Sequence, residues 1–289
     1  MHYEGNMIRP PSEAYSILLQ ASVGCSHNKC AFCGAYKGVR FKIKPDETIM
    51  ADIDFAARYC RHQDRLFICD GDALIIPQKR LLPILKEIEH KLPWVNRVGV
   101  YANTKGLKMK SAEELSELRA HGLKIAYMGL ESGDDETLQR MNKGATAETM
   151  IAMGKKARQA GIKLSLTVLL GLGGRERSEI HAQKTGQVLT AIDPEYVGAL
   201  SLMLIPGTPL YEEYEAGRFP ILTPEETLRE LRTMMAHTDL SNGLFHANHA
   251  SNYLPIKAAL PQDKEASLEL IDRALSGEIT LKPEYMRAL

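Results

Sequence analysis

Residues 25–33 read Cys25-Ser26-His27-Asn28-Lys29-Cys30-Ala31-Phe32-Cys33, shortly after the apolar run Tyr15–Ala21. Three thiols on so short a stretch are one ligand short of the four that a structural zinc site or a complete iron–sulfur cluster takes. A metal held by three protein ligands keeps one coordination position open, and catalytic metal sites need such a position. This stretch therefore predicts a reactive metal centre on the loop that follows the first strand.

Other uses of the cysteine loop stay open on the residues alone. A structural zinc site would need a fourth ligand, which His246 or His249 could supply. An electron-transfer cluster would need a fourth cysteine, and the candidates, Cys60 and Cys69, fall within apparent core elements. Buried, inert cysteines are the remaining alternative, although three so close together far exceed chance.

Short apolar runs alternate with amphipathic stretches along residues 1–206. Runs of this length that are rich in Val, Ile, Leu and Tyr are typical of parallel strands buried on both faces. Strands are predicted at Tyr15–Ala21, Arg65–Cys69, Arg97–Tyr101, Lys124–Leu130, Lys163–Leu170 and Tyr196–Leu204. Helices are predicted between them at Asp46–Tyr59, Gln78–Leu92, Ser111–His121, Ala147–Ala160 and Arg177–Ala191. The pattern indicates an α/β barrel or open sheet of parallel strands, with fewer units than the eight of a closed barrel.

Residues 207–289 lack this alternation and are interpreted as a C-terminal extension of helices and loops, packed on the same domain as residues 1–206. The elements expected near and within it are a turn at Pro206–Leu210, a helix from Thr223 to about Thr238, a loop at Asn242–Pro261 and a helix at Gln262–Leu275. The polar stretch 246–253 within that loop is a candidate substrate lid or barrel plug, or an ordinary surface loop.

The balance of charge argues against nucleic acid as a partner. Lysine plus arginine and aspartate plus glutamate each number 36 among the 289 residues, so no net field steers the chain toward a polyanion. No window approaches ~18 uninterrupted apolar residues, and the first residues lack the basic-then-apolar pattern of a signal peptide. The five cysteines, an odd number, suit a reducing compartment better than a disulfide framework. We therefore expect a cytoplasmic protein without a membrane partner.

Further motifs follow the later strands, at the end where α/β folds place their active sites. After the second strand comes Asp70-Gly71-Asp72, in which a glycine permits close backbone approach and a carboxylate attracts an ammonium group. After the third comes Asn103, which could hydrogen-bond a ribose or a carboxylate, or occupy an ordinary turn. The segment 168–174 has neither the third glycine of a dinucleotide fingerprint nor the lysine of a P-loop.

Together, the cysteine loop and the strand-end motifs resemble the radical S-adenosylmethionine (SAM) superfamily over about residues 15–210. The resemblance implies a partial (β/α)6 barrel of TIM type. It also implies that Cys25, Cys30 and Cys33 hold a [4Fe–4S] cluster whose fourth iron chelates the amino and carboxylate groups of SAM. The spacing between the cysteines is four and then two residues, where the family usually has three and then two. An aromatic residue before the last cysteine is a family habit, so Phe32 is assigned to the cofactor site.

The resemblance places further SAM contacts at the ends of successive strands. The triplet Asp70-Gly71-Asp72 stands where the family has a Gly-Gly-Glu-like segment that receives the SAM amino group. Asn103 is expected to help fix the ribose, and Leu170 lies in the segment that packs on the adenine.

A longer segment, 128–144, resembles the fourth-strand signature of oxygen-independent coproporphyrinogen dehydrogenases and methylthiotransferases. In that signature an acid or amide at the position of Glu131 contacts the SAM ribose. A basic residue at the position of Lys143 lies near the SAM carboxylate. Many relatives have arginine there, so a bidentate grip is lost with lysine.

The resemblance implies a radical SAM enzyme that receives one electron from an outside donor such as a flavodoxin or ferredoxin. Reductive cleavage of SAM would give methionine and a 5′-deoxyadenosyl radical, which abstracts hydrogen from the substrate. Because the chain carries neither a second cysteine cluster nor a basic appended domain, a small-molecule substrate is favoured over RNA or a peptide. A zinc-stabilised binding module without catalysis is the alternative from another class.

Overall fold

The computed structural model describes residues 1–288. Within them the strands are β1 Ile17–Leu19, β2 Ser22–Val23, β3 Lys42–Ile43, β4 Arg65–Ile68, β5 Arg97–Ala102, β6 Leu123–Glu131, β7 Lys163–Leu170, β8 Tyr196–Ser201, β9 Gly243–His246 and β10 Lys257–Leu260. The α-helices are α1 Asp46–Tyr59, α2 Gln78–Lys91, α3 Thr104–Lys108, α4 Ala112–Ala120, α5 Asp135–Arg140, α6 Ala147–Gln159, α7 Gly174–Ile192, α8 Pro209–Glu215, α9 Pro224–Ala236 and α10 Lys264–Leu275. Short 3-10 helices occur at Pro11–Glu13, Ala73–Ile75 and Glu284–Met286.

One sheet among the described residues has the strand order β1-β4-β5-β6-β7-β8-β9-β10. β1, β4, β5 and β6 pair in parallel, and so do β7, β8 and β9. The apolar runs predicted as strands from sequence are therefore strands, in chain order and in parallel. This confirms the expected α/β fold class, because such runs fit strands that helices cover on both faces.

The predicted loop at Asn242–Pro261 is wrong in part, because it contains β9 and β10. β9 extends the sheet in parallel beside β8, and β10 pairs with β9 in antiparallel orientation. Each strand is four residues long, and buried and more exposed residues alternate along it. So short a half-buried strand has no continuous apolar run. The Asn, His and Pro residues between the two strands are typical of loops, so the whole segment was predicted as a loop.

The ends of the helices follow the expected signals. Ser111 Oγ accepts a hydrogen bond from the backbone N–H of Glu114, whose side chain returns to the Ser111 N–H, so the capping box predicted there is present. Thr223 makes the same arrangement at the start of α9. Gly122 and Gly161, just after α4 and α6, have φ of 96° and 77°, a conformation that glycine adopts without strain.

The chain divides into two compact units. The first comprises Met1–Asn28, Ala35–Met128 and Met153–Leu164, and the second comprises Lys29–Gly34, Gly129–Ala152 and Ser165–Leu289. In the first unit, α1 packs on β1 and α2, and α2 packs on α4. In the second unit, α9 packs against α7 and α10. No helix of the described residues is long and apolar enough to cross a membrane.

Candidate active site

In the first unit, the Asp70-Gly71-Asp72 turn lies directly against the start of the cysteine loop. The Gly71 N–H donates to the carbonyl of Gly24 over 3.1 Å. A Cβ built on Gly71 would lie 2.6 Å from Cys25 Cβ and 2.8 Å from Cys25 Cα. Because ordinary carbon atoms do not approach so closely, only glycine admits Cys25 at this distance.

Asp70 holds the turn in place from inside the first unit. Its φ of 71° is left-handed, a conformation that a non-glycine residue adopts only when its surroundings fix it. Gln20 Nε2 donates to Asp70 Oδ2 over 2.6 Å, and the hydroxyl of Tyr36 donates to Asp70 Oδ1 over 3.0 Å. Burial raises the pKa of Asp70, although these hydrogen bonds partly offset the effect. Asp70 therefore supports the turn, and its oxygens are already engaged.

Asp72 is different, because one of its oxygens is buried and has no hydrogen-bond partner. Oδ2 accepts from Ser26 Oγ over 2.9 Å, whereas Oδ1 is unsatisfied. The residue is fully buried, and burial raises its pKa to about 7 against the opposing effects of the Ser26 hydroxyl and of the nearby backbone amides of Asn103 and Ile75. A buried acceptor without a partner costs free energy, about 1–3 kcal/mol. A cationic donor placed at Oδ1 would remove that cost and favour the carboxylate.

Asn103 both caps a helix and contacts the cysteine loop. Its Oδ1 accepts from the Gly106 N–H over 2.8 Å and so caps the first turn of α3. Its Nδ2 donates to Ser26 Oγ over 3.2 Å. The side chains of Asn103, Ser26 and Asp72 thus form one hydrogen-bonded chain beside Cys25.

In the second unit, Cys30 and Cys33 lie on a short turn that the rest of the unit anchors. The Ala31 N–H donates to the carbonyl of Met141 over 2.9 Å, and the Leu210 N–H donates to the carbonyl of Ala31 over 3.0 Å. Phe32 packs against a buried apolar cluster made of Met141, Leu172, Leu210 and Phe219. Phe32 therefore anchors the loop through apolar contacts.

Glu131 and Lys143 form an ion pair in the second unit, with 3.1 Å between Nζ and Oε1. Glu131 has a left-handed φ of 63°, which ends β6 and turns its side chain back over Gly129. A Cβ on Gly129 would collide with Glu131 Oε1 and come within 2.9 Å of Lys143 Nζ. The two residues that the resemblance assigns to opposite ends of SAM are thus neighbours.

Leu170 ends β7 and is followed by a glycine turn that a buried acid on α9 holds. The Gly171 N–H donates to Glu230 Oε1 over 2.5 Å, and Ser178 Oγ lies 2.5 Å from Glu230 Oε2. Gly171 has a φ of 85°, which suits glycine. Glu230 is fully buried, and burial raises its pKa to about 8.

His181, on α7, lies beside Glu230, and burial favours the uncharged form of both side chains. Its Nε2 is 3.1 Å from the carbonyl oxygen of Leu169, and its Nδ1 is 2.7 Å from Ser132 Oγ. The neutral tautomer with its proton on Nε2 satisfies both contacts. Burial lowers the pKa of His181 to about 4. The 3.4 Å approach of His181 Nε2 to Glu230 Oε1 is therefore a contact between neutral groups and not an ion pair.

The burial of Glu230 predicts that the free energy of unfolding depends on pH. The unfolded chain loses the Glu230 proton near the ordinary pKa of 4.5, whereas the folded protein keeps it up to about 8. Folding stability attributable to Glu230 therefore falls as pH rises through that window, by roughly 1 kcal/mol per pH unit. The variant Glu230→Gln cannot titrate, and its amide can still accept from Gly171 and donate to Ser178. Its unfolding free energy relative to wild type should therefore rise with pH in urea titrations between about pH 5 and about pH 8.

The exposed Glu225, on the same helix, provides the matched control. Glu225→Gln removes one formal charge from α9 without touching the Gly171 turn. The prediction is contradicted if Glu230→Gln and Glu225→Gln show the same dependence on pH.

The donor set of the cysteine loop fits a soft metal centre. Cys25, Cys30 and Cys33 are half-buried, and none of the cysteines in residues 1–288 forms a disulfide. Thiolates are the ligands that iron–sulfur clusters take. Within those residues no three His, Cys, Asp or Glu side chains are grouped so as to hold a metal ion. The assignment of the three cysteines as ligands therefore depends on their chemistry and on the protein family.

A profile of the radical SAM superfamily matches residues 19–182, more than half of the chain. The chain belongs to the radical SAM superfamily. It is 25% identical over 236 residues to an uncharacterised protein of Methanocaldococcus jannaschii, covering 77% of this chain and 71% of that protein. It is 23% identical over 189 residues to the heme chaperone HemW of Bacillus subtilis, covering 65% of this chain and 49% of HemW.

Solved radical SAM structures share the fold. Coproporphyrinogen III oxidase HemN of Escherichia coli superposes with a TM-score of 0.58 at 14% identity, over 76% of this chain and 51% of HemN. The methyltransferase TsrM of Kitasatospora setae superposes with a TM-score of 0.59 at 18% identity, over 83% of this chain and 54% of TsrM. Methylornithine synthase PylB superposes with a TM-score of 0.55 at 16% identity, over 78% of this chain and 63% of PylB. The predicted radical SAM fold is confirmed, although this chain spans only part of these longer enzymes.

Two residues that form hydrogen bonds in the candidate site were not predicted from the sequence. Ser26 links Asp72 and Asn103, yet a serine inside a loop carries no signal of its own. Glu230 lies 59 residues beyond its hydrogen-bond partner Gly171, on an amphipathic helix where one more acid is unremarkable. Its position on the buried side of α9, beside Leu231 and Met234, was the available hint.

Proposed function

We propose that this radical SAM enzyme binds a [4Fe–4S] cluster through Cys25, Cys30 and Cys33 and uses SAM to abstract hydrogen from a small-molecule substrate. When bound, the cluster and SAM supply a 5′-deoxyadenosyl radical by one-electron cleavage. The observation that carries the proposal is the unpartnered, buried Oδ1 of Asp72, on a turn packed against Cys25.

Asp72 is suited to receive the amino group of SAM. An ammonium beside Oδ1 would supply the missing donor and stabilise the carboxylate, lowering the raised pKa of Asp72. Ser26 and Asn103 fix the orientation of this carboxylate through Oδ2. Gly71 keeps the turn close to the cysteine loop.

The remaining assigned residues would act on the rest of SAM. Lys143 would attract the SAM carboxylate, and Glu131 would accept from the ribose hydroxyls, so SAM would separate or share this ion pair. Leu170 would offer an apolar surface to the adenine next to the Gly171 turn. The mechanism needs an external one-electron donor, and a flavodoxin or ferredoxin stays a prediction, as does a cytoplasmic location.

The proposal is tested by anaerobic reconstitution with iron and sulfide. We expect about four irons per chain, a broad brown absorbance, and release of 5′-deoxyadenosine when SAM and dithionite are added. Metal analysis that found one zinc and no sulfide would support a zinc-stabilised binding module and overturn the proposal. Iron and sulfide without any 5′-deoxyadenosine would also overturn it.

A further inference from the structure

A cavity of about 280 Å³ opens beside Leu170 in the second unit. Its wall includes Ser201 at the end of β8 and the residues just after it, together with Tyr253 and the C-terminal segment around the 3-10 helix Glu284–Met286. The cavity thus adjoins the residue assigned to the adenine of SAM. A molecule bound here would lie next to that end of the cofactor.

Charge in the cavity wall is confined to two residues of the C-terminal segment. Among the residues that line the cavity, only Glu284 and Arg287 carry a charged side chain. Arg287 Nη1 donates to both carboxylate oxygens of Glu284, at 2.8 and 2.7 Å. The side chain of Arg287 is 6% exposed and that of Glu284 is 68% exposed, so the guanidinium is fixed inside and the carboxylate reaches in from the surface.

Neutral groups hold the guanidinium independently of Glu284. Arg287 Nε donates to the Ser251 carbonyl over 2.6 Å, Nη2 donates to the Leu202 carbonyl over 3.0 Å, and Nη1 donates to the Tyr253 hydroxyl over 2.5 Å. The guanidinium carbon also lies 4.3 Å from the centroid of the Tyr253 ring. These contacts orient the cation but do not neutralise it, and a buried cation needs an anion. Glu284 supplies that anion, and another carboxylate could replace it with the same geometry.

Electrostatics at this point favour an ionised carboxylate. Burial acts to raise the pKa of Glu284, but hydrogen bonds from Tyr253 and Arg287 outweigh it and lower the pKa. An incoming carboxylate would find the same donors. The displaced Glu284 side chain would turn into solvent, which already surrounds most of it.

Most of the remaining cavity wall is aliphatic. Leu170, Leu202, Met203, Leu204, Ile221 and Leu222 line it. Apolar walls with one fixed polar anchor are typical of sites for small organic ligands. The cavity volume lies just below the range of about 300–1,000 Å³ that is typical of such sites, which limits the ligand to a small molecule.

We propose that this cavity is the substrate site and that the substrate is a small organic acid with an aliphatic body, whose carboxylate displaces Glu284 from Arg287. The inference rests on the proposed function and names its substrate class.

The test uses hexanoate as the probe and hexanamide as its neutral match, titrated by calorimetry into the reconstituted, SAM-loaded protein. Hexanoate should bind at least about tenfold more tightly than hexanamide, because only the acid pairs with the guanidinium. Arg287→Gln should remove this preference, and Arg287→Lys should restore part of it. Glu284→Gln should tighten hexanoate binding by about threefold or more, because a competing anion is lost.

Arg273 and Glu278 provide the matched control, since they form an exposed pair in the same C-terminal region and do not line the cavity. Arg273→Gln and Glu278→Gln should leave hexanoate affinity unchanged. Equal binding of acid and amide, or no gain in Glu284→Gln, would overturn the proposal. Loss of SAM affinity in Arg287→Gln and Glu284→Gln, without selective loss of hexanoate, would assign the cavity to SAM and overturn it as well.

Release of 5′-deoxyadenosine by the same preparations separates the two proposals. Cleavage of SAM by wild type without selective hexanoate binding would overturn the acid site alone. Selective, Arg287-dependent hexanoate binding by protein that never cleaves SAM would support the acid site and count against the proposed reaction.

Discussion

Replacing Cys25, Cys30 and Cys33 together by alanine is expected to abolish release of 5′-deoxyadenosine, down to the level without enzyme. Thiolates are the ligands that hold iron in such clusters, and outside the loop no three His, Cys, Asp or Glu side chains in residues 1–288 are grouped so as to hold a metal ion. Iron content after reconstitution should fall from about four per chain to background. Because the three side chains are half-buried and lie on a loop, their truncation should leave the fold intact. Circular dichroism and the melting temperature would check this.

The half-buried Cys60, at the end of α1, supplies the matched control. Cys60→Ala removes one thiol outside the loop and should retain iron and SAM cleavage. If the triple variant kept substantial activity, the cluster assignment would be refuted. If Cys60→Ala lost iron as completely as the triple variant, Cys60 would be indicated as a fourth protein ligand, and no iron would be left open for SAM.

Gly71→Ala is expected to reduce SAM cleavage by at least about tenfold, although the change adds one methyl group. The new Cβ would lie 2.6 Å from Cys25 Cβ and 2.8 Å from its Cα, so backbone must move to admit it. Such overpacking typically costs about 1–3 kcal/mol. The movement would displace Cys25 or the turn that carries Asp72. We therefore expect lower iron retention, weaker SAM binding, or both, measured by iron analysis and by SAM titration.

Gly198→Ala is the matched glycine substitution for this experiment. Gly198 lies in β8, and a Cβ there would meet its nearest neighbour at 3.7 Å, an ordinary contact. This variant should keep wild-type iron content and cleavage. Gly71→Ala with undiminished SAM cleavage would show that the turn and Cys25 can separate without consequence, contrary to the role assigned to their contact.

Local sequence pattern was sufficient for much of the fold. The predicted strand Lys163–Leu170 and helix Asp46–Tyr59 match the structure residue for residue, since each is long, periodic and clearly bounded. β9 and β10 escaped prediction because they derive their stability from pairing with neighbours distant in sequence. β2, which pairs with β3 about 20 residues further along the chain, was missed for the same reason.

In the candidate site, too, positions set by local sequence could be predicted, whereas contacts between residues distant in sequence could not. Motifs at strand ends were enough to propose Gly71 and Asp72 as candidates, because topology alone brings such positions to one edge of a parallel sheet. The hydrogen bonds that hold the turns at Asp72 and Gly171 could not be predicted from the sequence. Ser26 on Asp72 and Glu230 on Gly171 join residues 46 and 59 positions apart, and no spacing rule relates them.

The link between Gly171 and Glu230 limits how this enzyme could be recombined with its relatives. Glu230 lies outside the matched segment 19–182, yet it satisfies a backbone donor inside that segment. Exchanging the C-terminal region for that of a homologue would leave this amide unpaired unless the incoming helix carried an equivalent acceptor. The two regions are therefore interdependent, and chimeras joined between them should be designed around this contact.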